Sequence, residues 1–289
     1  MLKIALPNKG RLSDDVRELF DDAGLPVLAK GDRALAASLG DEFEAIFVRA
    51  QDIPEFVADG AADAGITGWD LVCESGRPLD DLLDLGFGRC RLVMAVREES
   101  GIRSLQDVAD ASRVATSFPR LTRRFFEDAG REITVVPVSG AAEIAPHLGI
   151  ADIIVDLTST GSTLTVNNLR EVATVLRSTA HLITTTAGAA IRDPARRHAL
   201  DELSAALASV LRARGKRYVM ANVPRSALDR VKGILPGLNG PTVIDILNGG
   251  THVAVHAVVA QSQIYRAIAR LKGLGAEGIL VTRIERLMP

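Results

Sequence analysis

The sequence predicts an α/β protein in three parts. Short β-branched apolar runs alternate with segments of helical spacing, and this pattern restarts at Arg91. Beyond residue 213 the order changes to β-α-β-β-α-β. Strands alternating with helices predict parallel sheets covered on both faces. A chain of 289 residues is long enough to bury a core in each of two or three domains.

Composition excludes several classes of function. A net charge of -2 provides no basic field for nucleic acid, and 4% aromatic residues leave few platforms for base stacking. No charge-free run approaches membrane-spanning length, so no membrane partner is expected. The opening Met1-Leu2-Lys3-Ile4-Ala5-Leu6-Pro7 reads as a first strand rather than a signal peptide, and the expected location is cytoplasmic. Cys73 and Cys90 lack C-x-x-C spacing and a histidine at ligand distance, so both are expected as buried thiols in a reducing compartment.

In chain order, residues 2–6 form a strand and Pro7-Asn8-Lys9-Gly10-Arg11 a tight cationic loop. A helix follows on Leu12, Val16, Leu19, Phe20 and Ala23, with Ser13 as its expected N-cap and Gly24 closing it. A loop after a first strand lies where open α/β sheets place ligands, and Lys9 and Arg11 beside a glycine favour an anion over a plain solvated turn. Strand 43–48 ends at Arg49, helix 53–58 follows, and strand 62–68 runs into a helix opened by Trp69-Asp70. Gly86-Phe87-Gly88 suggests a dinucleotide fingerprint, but Arg91 occupies the third glycine's place, so that reading is discarded. The second pattern comprises strands 92–96, 114–116 and 133–138, and helices 105–108, 119–129 and 142–148, the last carrying Glu143. Strands 172–176 and 182–186 carry the chain back to the first sheet, and Asp193-Pro194 caps a long helix. In the tail, strands 218–222, 243–247, 253–260 and 278–284 and helices 226–235 and 264–271 have the order of a ferredoxin-like module, with Asn248-Gly249-Gly250 as a turn.

The chemistry concentrates in Asp156-Leu157-Thr158-Ser159-Thr160-Gly161-Ser162-Thr163-Leu164. An apolar strand, Ala151-Asp152-Ile153-Ile154-Val155, leads into it and a short helix leads out. Such a loop offers free backbone N–H groups, four hydroxyls (Ser159, Thr160, Ser162, Thr163) and a glycine that permits a turn other residues resist. It suits a phosphate monoester, with Asp156 placed to accept from sugar hydroxyls or help hold a metal. The competing reading, that these hydroxyls only cap the helix, has equal weight on this stretch alone. Asp152 is expected only to help start the strand, and His252 and His256 to be ordinary strand histidines. No G-x-x-x-x-G-K-[ST], G-x-S-x-G or zinc spacing is present. An acid before a phosphate loop, without a P-loop, fits a ribose 5-phosphate better than γ-phosphoryl transfer.

Three motifs in one order, Pro7-Asn8-Lys9-Gly10-Arg11-Leu12, Ala64-Gly65-Ile66-Thr67-Gly68-Trp69-Asp70-Leu71 and 156–164, resemble ATP phosphoribosyltransferase, the first enzyme of histidine biosynthesis. Leu235-Pro236-Gly237, Pro241-Thr242 and the closing Gly275-Ala276 to Ile279-Leu280 resemble its long form, so the likeness covers essentially the whole chain. The resemblance implies a two-lobed periplasmic-binding-protein-like core, with catalytic domain I at 1–90 and 184–212, domain II at 91–183 and a regulatory domain at 213–289. It implies transfer of the phosphoribosyl group of phosphoribosyl pyrophosphate to N1 of ATP, with Mg2+ accompanying the pyrophosphate, feedback inhibition by histidine, and assembly into dimers and hexamers. Asp156, Thr158, Ser159, Thr160, Gly161, Ser162, Thr163 and Leu164 would hold the phosphoribosyl group. Lys9, Gly10, Arg11, Arg49, Asp70 and Glu143 would meet ATP or pyrophosphate, and Asn222, Leu238, Gly240 and Thr242 would contact histidine. The alternatives are a non-catalytic two-lobed binding protein and a phosphoribosyltransferase acting on a free base.

Overall fold

The computed structural model describes residues 1–29, 34–186, 192–247 and 250–288, and the chain divides into two units, 1–204 and 205–289. In the first unit β1 (Leu2–Pro7) is followed by α1 (Arg11–Asp22), β2 (Leu28–Ala29), β3 (Ala36–Leu39), β4 (Phe43–Val48), α2 (Ile53–Ala58), β5 (Ala64–Gly68), α3 (Trp69–Ser75) and β6 (Leu79–Asp84). The chain then crosses to a second lobe of β7 (Cys90–Arg97), β8 (Ser112–Thr116), α4 (Pro119–Asp128), β9 (Ile133–Pro137), β10 (Ile153–Thr158), α5 (Ser162–Val166) and β11 (Leu169–Ser178). It returns as β12 (Ala180–Thr185) and enters the long helix α6 (Pro194–Ala213).

Two sheets result, a seven-stranded one ordered β2-β3-β4-β1-β5-β12-β6 and a five-stranded one ordered β11-β7-β10-β8-β9. This is the expected two-lobed, periplasmic-binding-protein-like layout. The sheets are mixed rather than parallel. β1 pairs in parallel with β4 and β5, but β12 runs antiparallel to β5 and β6, and β7 antiparallel to β10 and β11. β12 begins at Ala180 inside the seven-stranded sheet, so the chain recrosses between Ser178 and Ala180.

The first lobe packs closely because Gly65 lets α2 lie on the sheet: a Cβ there would meet Ile53 Cγ2 at 2.5 Å and Ala5 Cβ at 3.3 Å. The five-stranded sheet is covered on both faces. Ile153 and Val155 pack with Phe118 and Phe126 on one side, and Ile154 with Ala142, Ala145 and Leu164 on the other. The lobes are also joined away from the strands. Glu74 on α3 accepts the backbone N–H groups of Arg120 (2.8 Å) and Leu121 (2.9 Å), and so caps α4 of the other lobe.

Local expectations hold at Asp193, whose Oδ1 accepts the Ala195 N–H at the start of α6, and at Asp152, which bonds the Arg113 N–H beside its strand. Others are corrected. α1 starts at Arg11 with Gly10 as N-cap, and Ser13 lies buried inside the first turn. Helix 142–148 shrinks to a single 3-10 turn at Ala142–Ile144, because Pro146 and Gly149 leave no room to propagate it. Both cysteines are free thiols, half-buried rather than buried.

The second unit contains β13 (Lys216–Pro224), α7 (Leu228–Lys232), β14 (Thr242–Asp245), β15 (His252–Ala260), α8 (Ile264–Gly273) and β16 (Glu277–Arg283). Its sheet order, β14-β15-β13-β16, is antiparallel throughout and ferredoxin-like, as expected. Helix 226–235 is shorter than expected, a 3-10 turn and then α7. Alternate residues Val219, Ala221, Val223, Val253, Val255 and Ala257 form the core beneath the helices. The expected turn at Asn248-Gly249 lies outside the described residues.

Candidate active site

Parallel pairing of β1 with β4 and β5 brings three strand ends to one edge of the seven-stranded sheet. Pro7 pairs with Val48, and the Asn8 N–H bonds Val48 O at 2.9 Å, so the Lys9-Gly10-Arg11 loop sits next to Arg49. Gly10 turns the chain at φ +81°, a backbone conformation side chains resist. Beyond β5, Gly68 leads into α3, and a Cβ there would lie 2.4 Å from Asp70 Oδ1. Only glycine lets the Asp70 carboxyl fold back over this position.

Asp70 is buried. Burial pushes its carboxyl above the ordinary range, against the pull of hydrogen bonds from Ser178 and from its own and the Leu71 backbone N–H. Ser178 Oγ accepts the Asp70 N–H at 3.0 Å and donates to Asp70 Oδ1. Burial likewise pushes the neighbouring Cys90 thiol to about 11, helped by the Asp70 charge.

The hydroxyl loop extends from the end of β10. The strand continues through Asp156 to Thr158, further than the apolar run indicated. Both ends of the loop are anchored: Thr158 is buried with Oγ1 accepting the Gly161 N–H at 2.9 Å, and Leu164 is in the core. Between them Ser159, Thr160, Ser162 and Thr163 are exposed. Gly161, at φ +83°, is the N-cap of α5 and has no side chain to cap it. Thr160 Oγ1 accepts the Ser162 N–H at the start of α5 (3.4 Å) and lies 3.0 Å from the Ser162 hydroxyl, so part of the loop serves the helix start while the Ser159 and Thr163 side chains are exposed. Asp156 lies on the Ile154 face of its strand, towards the turn that carries Glu143. Burial raises its carboxyl pKa, the Leu157 N–H (2.8 Å) opposes this, and the Glu143 charge adds to it. Two carboxylates thus share the mouth of the loop.

A cavity of about 520 Å3 joins the lobes, lined by Arg11 and Asp70 from one and by Cys90 and Ser159 from the other. Lys9, Gly10 and Arg49 are exposed and outside its lining. A second cavity of about 530 Å3 shares Arg89, Cys90 and Ser159 and extends to Arg91, Arg177 and His181. Sequence reasoning missed Arg89, Arg177, Ser178 and His181. The run Arg177-Ser178-Thr179, a cation and two hydroxyls where the chain recrosses, was the available signal. His181 stacks against Trp69 (4.7 Å between ring centres) and places Nδ1 2.9 Å from Asp81 Oδ1.

In the second unit Asn222 and Thr242 share the sheet face away from the core, on strands separated by β15 and offset by two residues in register, so about 12 Å apart. Leu238 is exposed, and Gly240, at φ +104°, bonds Pro236 O through its N–H. His256 Nδ1 lies 2.9 Å from the Tyr218 hydroxyl, and no cluster of three or more metal-ligating side chains exists among the described residues.

Residues 49–209 match the HisG family model, ATP phosphoribosyltransferase. The chain belongs to the ATP phosphoribosyltransferase family. Residues 213–286 match the HisG C-terminal domain, which makes this the long form. The ATP phosphoribosyltransferase of Gemmatimonas aurantiaca is 71% identical over the full length of both chains, and that of Methanocaldococcus jannaschii 43% identical, also over both full lengths. A chain of the ATP phosphoribosyl transferase (HisG:HisZ) complex from Thermotoga maritima superposes with a TM-score of 0.64 at 29% identity, covering 73% of this chain and 99% of that one. Membership makes the chain a phosphoribosyltransferase of histidine biosynthesis and displaces the non-catalytic reading. Among the described residues no helix is long and apolar enough to cross a membrane.

Proposed function

We propose that the cleft between the two lobes joins N1 of the ATP adenine to C1 of phosphoribosyl pyrophosphate and releases pyrophosphate. The observation carrying this reading is that Ser159 of the hydroxyl loop lines one cavity with Arg11 and Asp70 of the opposite lobe. The loop 158–164 takes the 5-phosphate through its hydroxyls and unpaired N–H groups, each charge-assisted bond contributing about 1.5–3 kcal/mol. Adenine N1 attacks C1 as the C1–O bond to pyrophosphate breaks, and the bonding electrons leave with pyrophosphate. Positive charge builds on the ribose ring, and the carboxylates of Asp156 and Glu143 stabilise it. Asp70, held by Ser178, faces the nucleotide from the other wall. Adenine N1 carries a free lone pair, so positioning rather than a general base governs the rate.

Magnesium fits as part of the substrate: no protein-only cage is formed by the described residues, and the pyrophosphate brings the ion with it. Lys9, Arg11 and Arg49, on one sheet edge, meet the charge of the departing group. Histidine inhibits by binding the second unit at Asn222, Leu238, Gly240 and Thr242, and the enzyme works in the cytoplasm as a homo-oligomer, a dimer or hexamer. In this reading residues 1–90 with 184–212, 91–183 and 213–289 are the two catalytic domains and the regulatory domain.

Mixing the protein with ATP, phosphoribosyl pyrophosphate and magnesium tests the reaction. The expected result is absorbance of the N1-linked product together with stoichiometric pyrophosphate. Appearance of neither overturns the proposal.

A further inference from the structure

The chain crosses between the lobes twice, from β6 to β7 and from β11 to β12, and Thr179 is the link in the second crossing. Ser178 pairs with Cys90 in one sheet and Ala180 with Gly68 in the other, so Thr179 lies between the two ladders. Its carbonyl accepts the Trp69 N–H at 2.9 Å, and the Ala180 N–H after it bonds Phe87 O at 2.9 Å. Its hydroxyl gives its one proton to Asp84 Oδ1 (2.7 Å), which also accepts the Gly86 N–H of the first crossing (2.8 Å). The hydroxyl oxygen is left as an acceptor, and His181 Nε2, 3.0 Å away, fills it with its N–H. His181 is buried and stands opposite Asp84 in the β12–β6 ladder. Nδ1 is 2.9 Å from Asp81 Oδ1 without being aligned for a hydrogen bond, and the ring rests on Trp69 with 4.7 Å between centres. The imidazole is thus wedged between β6, the indole and the Thr179 hydroxyl, and only the last of these leads to the site.

We propose that His181 is a positioning residue for the nucleotide wall of the cleft. Through the Thr179 hydroxyl it fixes the second crossing, and that crossing fixes the first turn of α3, where Ser178 holds the Asp70 carboxyl. The inference rests on the phosphoribosyltransferase reading, in which Asp70 faces ATP. Packing and positioning can be separated here. Phenylalanine keeps a ring against Trp69 and offers no nitrogen to Thr179, whereas glutamine gives up the ring and keeps a donor.

The test uses the full-length protein with H181F, T179V, the double variant H181F/T179V and the rescue variant H181Q. Hydrogen exchange at the Trp69 and Asp70 amides reads the first turn of α3 without any substrate, and steady-state kinetics give kcat and both KM values. H181F and T179V are each expected to speed exchange at these two amides about 5-fold and to raise KM for ATP about 5-fold, with KM for phosphoribosyl pyrophosphate unchanged. The double variant should be no worse than T179V alone, because both substitutions break one linkage, and H181Q should recover most of the loss. Wild-type exchange and KM for ATP in H181F overturn the proposal. So do effects that multiply in the double variant, or a lowered Tm with both readouts unmoved, which would mark a packing role only. Faster exchange in the variants of a protein that forms no N1-linked product would refute the reaction and leave the positioning role standing. Product formation with wild-type exchange in H181F and T179V would do the reverse.

Discussion

Ser178 grips Asp70 from two sides, accepting its backbone N–H at 3.0 Å and donating its hydroxyl proton to Oδ1. The two residues are 108 positions apart, one at the first turn of α3 and the other where the chain recrosses between lobes. The carbonyl of Thr179 also accepts the Trp69 N–H, so the recrossing segment fixes the whole start of that helix.

Replacing Ser178 by Ala removes the hydroxyl's bond to a buried carboxyl and its acceptance of the Asp70 N–H. A loss of about 1.5–3 kcal/mol in stability is expected, with kcat/KM reduced about 10-fold as Asp70 loses its orientation. Thermal denaturation and steady-state kinetics on the same preparation check this.

Asp70→Asn tests the sign of the burial effect. A carboxyl raised by burial keeps a proton in the native state at pH values where the unfolded chain has released it. The wild type therefore loses stability as pH rises from the ordinary carboxylate range through the raised value. The amide does not titrate, so the Tm of the variant relative to wild type should rise between pH 4 and pH 7 while activity falls. A Tm difference that stays flat across this range would contradict the assignment.

At the loop, Asp156→Ala should cut kcat/KM about 100-fold if its charge steadies the ribose ring. Glu143→Gln is the finer probe. Glu143 raises the Asp156 pKa, so its neutralisation should move the acid limb of the pH–rate profile to lower pH. A limb that stays in place would separate the two carboxyls.

Gly161→Ala has open space for its Cβ, with nothing within 4 Å, but keeps φ at +83°. Strain alone should destabilise by about 1–2 kcal/mol. KM for phosphoribosyl pyrophosphate should rise more than KM for ATP, which kinetics with each substrate varied in turn will show.

Much of this architecture can be read in the residues. Apolar runs mark β1, β7 and β10, and glycines mark the sharp turns at Gly10 and Gly161. The tail's element order gave the ferredoxin-like sheet before any pairing was known. β6 was missed because Leu79-Asp80-Asp81-Leu82-Leu83-Asp84 lies at the edge of its sheet, where three aspartates are tolerated and no alternation betrays a strand. Strand direction was misread because it depends on where the chain crosses between lobes, and local periodicity carries no trace of this. At the site, the hydroxyl loop was visible because its residues are contiguous. Ser178 and His181 act on groups far away in sequence, and nothing near them in the chain announces it.

Glu74 and Asp70 belong to one short helix, α3, about 10 Å long. One tip bears the carboxyl that faces the cleft, and the other is latched to the amide end of α4. Gly76 keeps the latch seated, since any side chain there would run into the Arg120 guanidinium. The helix is therefore held at both tips, at its start by Ser178 and Thr179 of the recrossing segment and at its far end by the amides of α4, so the bearing of the Asp70 carboxyl is set jointly by two separate anchors.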